Sequence, residues 1–225
     1  MRAFVPLVAT SVAFAFSVVT SQAWAQASAL ESGAPAPIDP VVSESIPEGF
    51  VANSPFHRVL LGSQDAASEW LASRQALVRV EDYGSFQLAL VDARRTGGLA
   101  GLQALGVQIF DEFTLINLNG YLLDGADELA TARTLATIPA ELRAPATPPA
   151  DGERRLKLVQ FQGPVKDAWY DELAATGAFI VTYVPNNAYV VSAANPEINA
   201  KIEDLRAAPH VLAVTSYEPA FKLRP

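Results

Sequence analysis

Residues 156–217 alternate β-branched runs with two short helical patterns, each opened next to a proline, and this alternation constrains the fold more than any other feature of the chain. Residues 156–161 read as a strand. Gly163-Pro164 then opens a helix, because proline in a first turn lacks only an N–H that has no partner there. Val165, Ala168, Trp169 and Leu173 recur at helical spacing, which predicts a helix over 165–176, and Gly177 supplies the left-handed stop. Residues 178–184 and 188–193 are dense in β-branched and aromatic side chains and flank Pro185-Asn186-Asn187, so they form a hairpin. Asn195-Pro196 caps and starts a second helix whose buried face carries Ile198, Ile202 and Leu205. Pro209 ends it, and residues 211–217 give the last strand.

Residues 56–138 read as a looser copy. A strand over 86–91 leads into a helix over 93–105 that Gly97, Gly98 and Gly101 weaken and Gly106 ends. Residues 107–113 and 115–123 are predicted to pair, and Asn119-Gly120-Tyr121-Leu122 echoes Asn187-Ala188-Tyr189-Val190. A second helix follows over 126–135. A fourth strand is available only from residues 77–81, ahead of the Asp82-Tyr83-Gly84-Ser85 turn, and Ser63 is placed to cap a short helix running through Trp70 and Arg74. The expected fold class is α+β, with two ferredoxin-like (βαββαβ) domains, the first degenerate, each an antiparallel sheet with its helices on one face. That order leaves the other face of the later sheet uncovered.

The remaining segments set the domain limits. Residues 1–25 carry one cation, Arg2, an apolar run and Ala23-Trp24-Ala25, the pattern of a signal peptide cleaved after Ala25, so the product is expected to be secreted or periplasmic. Residues 26–55 form a Pro/Ala-rich leader expected to be disordered, and 139–155, with Pro145, Pro148, Pro149 and Gly152, an interdomain linker. Ordered domains are thus expected at 56–138 and 156–225. No cysteine occurs, which excludes disulfides, thiolate metal sites and a cysteine nucleophile. The formal net charge of −8 argues against nucleic acid, whose phosphates require a basic surface.

Candidate chemistry is sparse. His57 lies beside the Pro-rich leader and His210 follows Pro209 at a helix end, and each reads as an ordinary surface or helix-end histidine. Asp111-Glu112, Asp124, Asp127-Glu128 and Asp171-Glu172 are read as solvated acidic pairs, since no calcium-loop spacing accompanies them. Gly97-Gly98 with Gly101 lacks the Lys-Ser/Thr of a phosphate loop and reads as a destabilised helix. Trp169 sits on an apolar stripe and belongs to the core. No catalytic residue, cofactor or metal site is expected.

Three pieces of the later block are specific together: Leu158-Val159-Gln160-Phe161 with Gly163-Pro164 and Trp169; Tyr183-Val184-Pro185-Asn186-Asn187-Ala188-Tyr189-Val190-Val191; and Val211 through Val214 to Tyr217-Glu218-Pro219-Ala220-Phe221. They resemble the N-terminal pro-region of secreted bacterial subtilisin-like (subtilase) serine peptidases. Glu81-Asp82-Tyr83-Gly84-Ser85-Phe86 and Leu115-Ile116-Asn117-Leu118 resemble the first half of that region, so the similarity runs from about Leu77 onward. The resemblance implies a peptidase-inhibitor-like module that assists folding of a subtilisin-like protease domain, in cis or in trans, and caps its cleft. Tyr217, Glu218, Pro219, Phe221 and Leu223 would then form a protease-contact tail, lying extended along the cleft as an added strand. The Asp-Ser/Thr-Gly, His-Gly-Thr and Gly-Thr-Ser-x-Ala motifs of a subtilase triad are missing from the sequence, so the chain itself is expected to be non-catalytic. Two other readings stay open. The chain could be the N-terminal fragment of such an endopeptidase, or an exported ferredoxin-like structural or binding protein.

Overall fold

The computed structural model describes residues 46–47, 49–62 and 65–223, which belong to one unit spanning residues 37–225. The predicted signal peptide and the leader up to residue 45 lie outside the described residues. The fold is α+β, built from antiparallel sheets and short helices.

The earlier lobe contains β1 (Phe56–Leu61), α1 (Ala66–Ser73), β2 (Leu77–Asp82), β3 (Gln87–Asp92), α2 (Leu99–Ala104) and β4 (Gln108–Ile109), in the spatial order β2-β3-β1-β4. Several local expectations are corrected here. Residues 77–81 do supply a strand of this four-stranded sheet, at its edge beside β3, and the lobe opens on a strand that the sequence pattern did not mark, Phe56–Leu61. Asp65 caps α1 by accepting from Ser68 N at 2.7 Å, and Ser63, the expected cap, lies outside the described residues. The helix expected over 93–105 is split into a 3-10 turn at Ala93–Arg95 and α2, because Gly97 and Gly98 both take left-handed φ, 89° and 81°. Val59, Leu61, Ala89 and Val91 pack against Leu71 and Leu102 as this lobe's core.

Residues 107–113 and 115–123 do not pair with each other. Gln108 joins β1, a 3-10 turn occupies Asp111–Thr114, and the hairpin is instead β5 (Leu115–Leu118) with β6 (Tyr121–Asp124). Asn119 and Gly120, at φ 51° and 90°, make the two-residue turn whose twist suits a hairpin and whose length fixes that register. The helix α3 (Glu128–Ala136) follows, capped by Asp127, which accepts from Ala130 N at 2.9 Å.

The later lobe follows its sequence pattern closely: β7 (Arg155–Phe161), α4 (Asp167–Ala175), β8 (Phe179–Val184), β9 (Ala188–Ala193), α5 (Pro196–Asp204) and β10 (Val211–Ser216), in the order β10-β7-β9-β8. Asn195 caps α5 with Pro196 in its first turn, and Gly177 takes φ 81° after α4. On the helix side of this sheet Val159, Phe161, Val191 and Val214 bury against Trp169, Leu173, Ile202 and Leu205. The opposite face, expected to be bare, is covered by the chain itself. Ile116, Leu118 and Leu123 of the hairpin, Ile138 after α3, and Ala220 and Phe221 beyond β10 pack on Leu158, Val184, Ala188 and Val190. Packing therefore groups the hairpin and α3 with the later sheet, although the chain order places them before the linker.

The lobes are joined by polar contacts. Arg58, 5% exposed, donates to Gln162 Oε1 at 2.7 Å; Tyr83 Oη donates to Pro164 O at 3.0 Å; and Lys166 lies 2.8 Å from Glu81. Burial draws the Arg58 guanidinium below its ordinary value, and Asp111 opposes the shift. Burial pushes the Tyr83 phenol up.

Candidate interaction surface

The five tail residues begin where β10 ends. Tyr217 N donates to Leu156 O at 3.0 Å, extending the sheet by one bond, and then the chain turns. Pro219–Lys222 is a 3-10 turn rather than an extended segment, with Phe221 N on Glu218 O at 3.0 Å. The proline at its first position suits the turn and forbids a continued ladder.

The turn drives Phe221 inward until it is 0% exposed, with ring centroids 5.4 Å from both Tyr121 and Tyr217. Asn119 Nδ2 donates to Phe221 O at 2.6 Å, which ties the hairpin tip to the tail. The buried Glu218 carboxylate accepts from Ala144 N and so holds the linker as well. Tyr217 is half-buried, and that burial raises its phenol pKa. Pro219 is exposed and Leu223 is 51% exposed. Of the five residues, Tyr217, Glu218 and Phe221 thus serve an internal clamp, and Pro219 and Leu223 face solvent.

A buried polar seam on the same sheet face escaped the sequence reading. Gln160, 1% exposed on β7, donates through Nε2 to Phe113 O, Thr114 O and Asn186 O at 3.0, 3.3 and 3.1 Å. Asn186 Nδ2 returns to Glu112 O and Leu115 O at 3.0 and 2.6 Å. These bonds tie the Asp111–Thr114 turn to the sheet and give Phe113 O a donor, while Glu112 O and Thr114 O also accept from the Leu115 and Gly125 amides. Glu112 is pushed above its ordinary value by burial. On a face expected to be bare the Gln160 amide reads as solvated, and only the covering of that face makes it a buried group that must find partners. A cavity of about 110 Å³ remains between hairpin and β10, with Asp124, Gln160, Arg206 and Leu212 in its wall.

Two of the edge strands also expose apolar side chains, Val78 (55%) on β2 and Phe179 (60%) and Val181 (40%) on β8. The register slips past Val78 and Val181, making each a bulge. Bulged edges discourage the addition of a further strand.

The histidines differ from their expected surface settings. His57 is 3% exposed on β1, with Nδ1 2.7 Å from Asp111 Oδ2, because the end of the leader folds over it and Ala52 N donates to the same carboxylate at 3.0 Å. His210 stacks on Trp169 with centroids 5.2 Å apart, and its Nε2 lies 3.0 Å from Glu172 Oε2 but off the line of a hydrogen bond. Asp111 is buried rather than solvated, Asp127 is a helix cap, and no three metal-ligating side chains cluster among the described residues. The three glycines serve backbone geometry: a Cβ on Gly101 would lie 1.8 Å from Thr96 O, and Gly97 and Gly98 hold left-handed φ. No helix among the described residues is long and apolar enough to cross a membrane.

A family model described as a domain of unknown function (DUF8729) matches residues 117–218, from within β5 to Glu218. No curated protein matches the chain, and no solved structure does.

Proposed function

We propose that this chain is a secreted subtilase pro-region module, a non-catalytic partner that assists folding of a subtilisin-like serine protease and inhibits it. The observation that carries this reading is topological. Each lobe runs βαββαβ, and numbering the strands within each lobe gives the spatial order 4-1-3-2 in both, which supports the ferredoxin-like reading of the element order. The clamp refines how such a module would bind. With its sheet face filled by its own hairpin, contact falls to the exposed Pro219 and Leu223, and the buried Phe221 serves as a rigid anchor from which that segment is presented. The signal-peptide pattern, with cleavage after Ala25, supports action in the periplasm or outside the cell.

The test mixes the purified chain without residues 1–25 with subtilisin-like proteases, including one encoded nearby, and measures steady-state inhibition and the yield of refolded protease. Inhibition that weakens with Leu223→Asp supports the proposal. Neither inhibition nor assisted refolding with any of them overturns it. The filled sheet face favours a second reading, an exported ferredoxin-like binding protein with no protease partner, and that negative outcome is the one it predicts.

A further inference from the structure

We propose that the cavity between the β5-β6 hairpin and β10 is a binding site for a primary ammonium group on an aliphatic stem, carried by a small amine or by a lysine side chain. The Gln160 amide supplies the acceptor at its base. Its Nε2 is committed to the carbonyls of Phe113, Thr114 and Asn186, which only accept, so the amide cannot turn over and Oε1 faces the other way. Oε1 has no hydrogen-bond partner among the described residues, yet it is not one of the unpartnered atoms sealed from solvent. It therefore opens into the cavity of about 110 Å³ that Gln160 lines, although the residue as a whole is 1% exposed. Gly125 makes room for it, since a Cβ there would lie 2.1 Å from Oε1. An amide oxygen held in this way asks for a donor.

The rest of the wall selects the donor. Asp124 and Glu128 join Gln160 there, and neither carboxylate is in an ion pair among the described residues; Asp124 Oδ1 accepts from Ala126 N at 2.9 Å, and Glu128 is exposed at the rim. The cations within reach are already engaged. Arg206, also in the wall, and Lys157 both donate to Glu203, at 2.8 and 2.7 Å. Arg58, whose charge reaches Asp124, donates to Gln162 and interacts more strongly with Asp111. An ammonium matches this set of acceptors, because it has donors and no acceptor, whereas an anion would meet oxygens that repel it. No three metal-ligating side chains cluster among the described residues, which disfavours a bare metal ion. Leu123, Leu158 and Leu212 complete the wall and suit the methylenes of the stem.

The site is tested on the purified chain by following the Gln160 side-chain and Gly125 backbone amide resonances by NMR at fixed ionic strength. The ligands are n-butylammonium, Nα-acetyl-lysinamide, the same lysine derivative acetylated at its side-chain nitrogen, butyrate and calcium. Both amines are expected to shift these resonances saturably, and the acetylated derivative and butyrate to leave them unchanged. Binding of the lysine derivative about tenfold tighter than butylammonium assigns a polypeptide as the source, and equal binding assigns a small amine. Gly125→Ala is expected to abolish binding, because the added Cβ displaces Gln160 Oε1. Should that variant fail to fold, Glu128→Gln, at an exposed position, is expected to weaken binding several-fold with thermal stability unchanged. No response to either amine, an equal response to butyrate or to the acetylated derivative, or a response to calcium alone overturns the proposal.

Discussion

Replacing Phe221 by alanine separates a tail that clamps its own fold from one that waits for a cleft. The side chain is fully buried among Ile116, Leu118, Leu158 and Val190, with two aromatic neighbours at 5.4 Å. Truncating a buried phenylalanine costs about 3–5 kcal/mol, and the cavity is expected to stay open because strands wall it on two sides. Whole domains are stable by only about 5–15 kcal/mol, so the variant should lose about a fifth or more of its stability. For a chain of this size that corresponds to a fall in Tm of about 6–20 °C. Urea denaturation measures the loss directly, and hydrogen exchange should show the amides of β5 and β6 losing protection, since the hairpin is pinned by that ring and by Asn119. Leu223→Ala, at an exposed position, should stay within about 0.5 kcal/mol. A loss below about 1 kcal/mol for Phe221→Ala, or unchanged exchange in the hairpin, would refute the clamp.

Two further outcomes follow from the same packing. Gln160→Leu keeps the volume but leaves the carbonyls of Phe113, Thr114 and Asn186 without their shared donor, and it should destabilise by about 1–3 kcal/mol in urea denaturation; a neutral result would mean that water replaces the amide. Glu203 is raised by its partial burial but lowered more by hydrogen bonds from Lys157 at 2.7 Å and Arg206 at 2.8 Å, so its carboxyl lies below its ordinary 4.5. A depressed carboxyl contributes stability above its unfolded pKa and loses it as pH falls through the folded one. The Tm gap between the natural chain and Glu203→Gln should be present at about pH 7 and close toward about pH 3, and a gap that stays constant across thermal melts at both would count against the ion pair.

The later lobe was legible because each boundary carries its own chemistry: Gly177 stops one helix, Asn195-Pro196 starts the next, and Pro185-Asn186-Asn187 turns the hairpin. The earlier lobe was blurred where two signals competed. Residues 107–123 contain enough β-branched and aromatic side chains for two long strands, but Asn119-Gly120 is the tighter turn and captures the pairing for 115–124 alone. Which sheet that hairpin covers is a tertiary choice that no local pattern encodes, since Ile116 and Leu118 would suit either. The same holds for the candidate sites. His57 and Asp111 lie 54 positions apart, and only folding reveals that the leader's last residues close over them. Phe221 was misplaced because an extended tail was carried over from the resemblance, against a proline that starts a turn.

The covered sheet face also dictates an order of events in folding. Its apolar cluster draws on Ile116 and on Phe221, and the bond between Asn119 and the Phe221 carbonyl spans 102 positions. Residues 115–138 therefore have no finished surface to rest on until the Pro219–Lys222 turn has been made. The helix side of the same sheet needs only residues 159–214 and can assemble first. Because distant closures are slow, the step that seats the hairpin should limit the rate, and a chain emerging from its amino end will carry that hairpin uncovered until Phe221 is out.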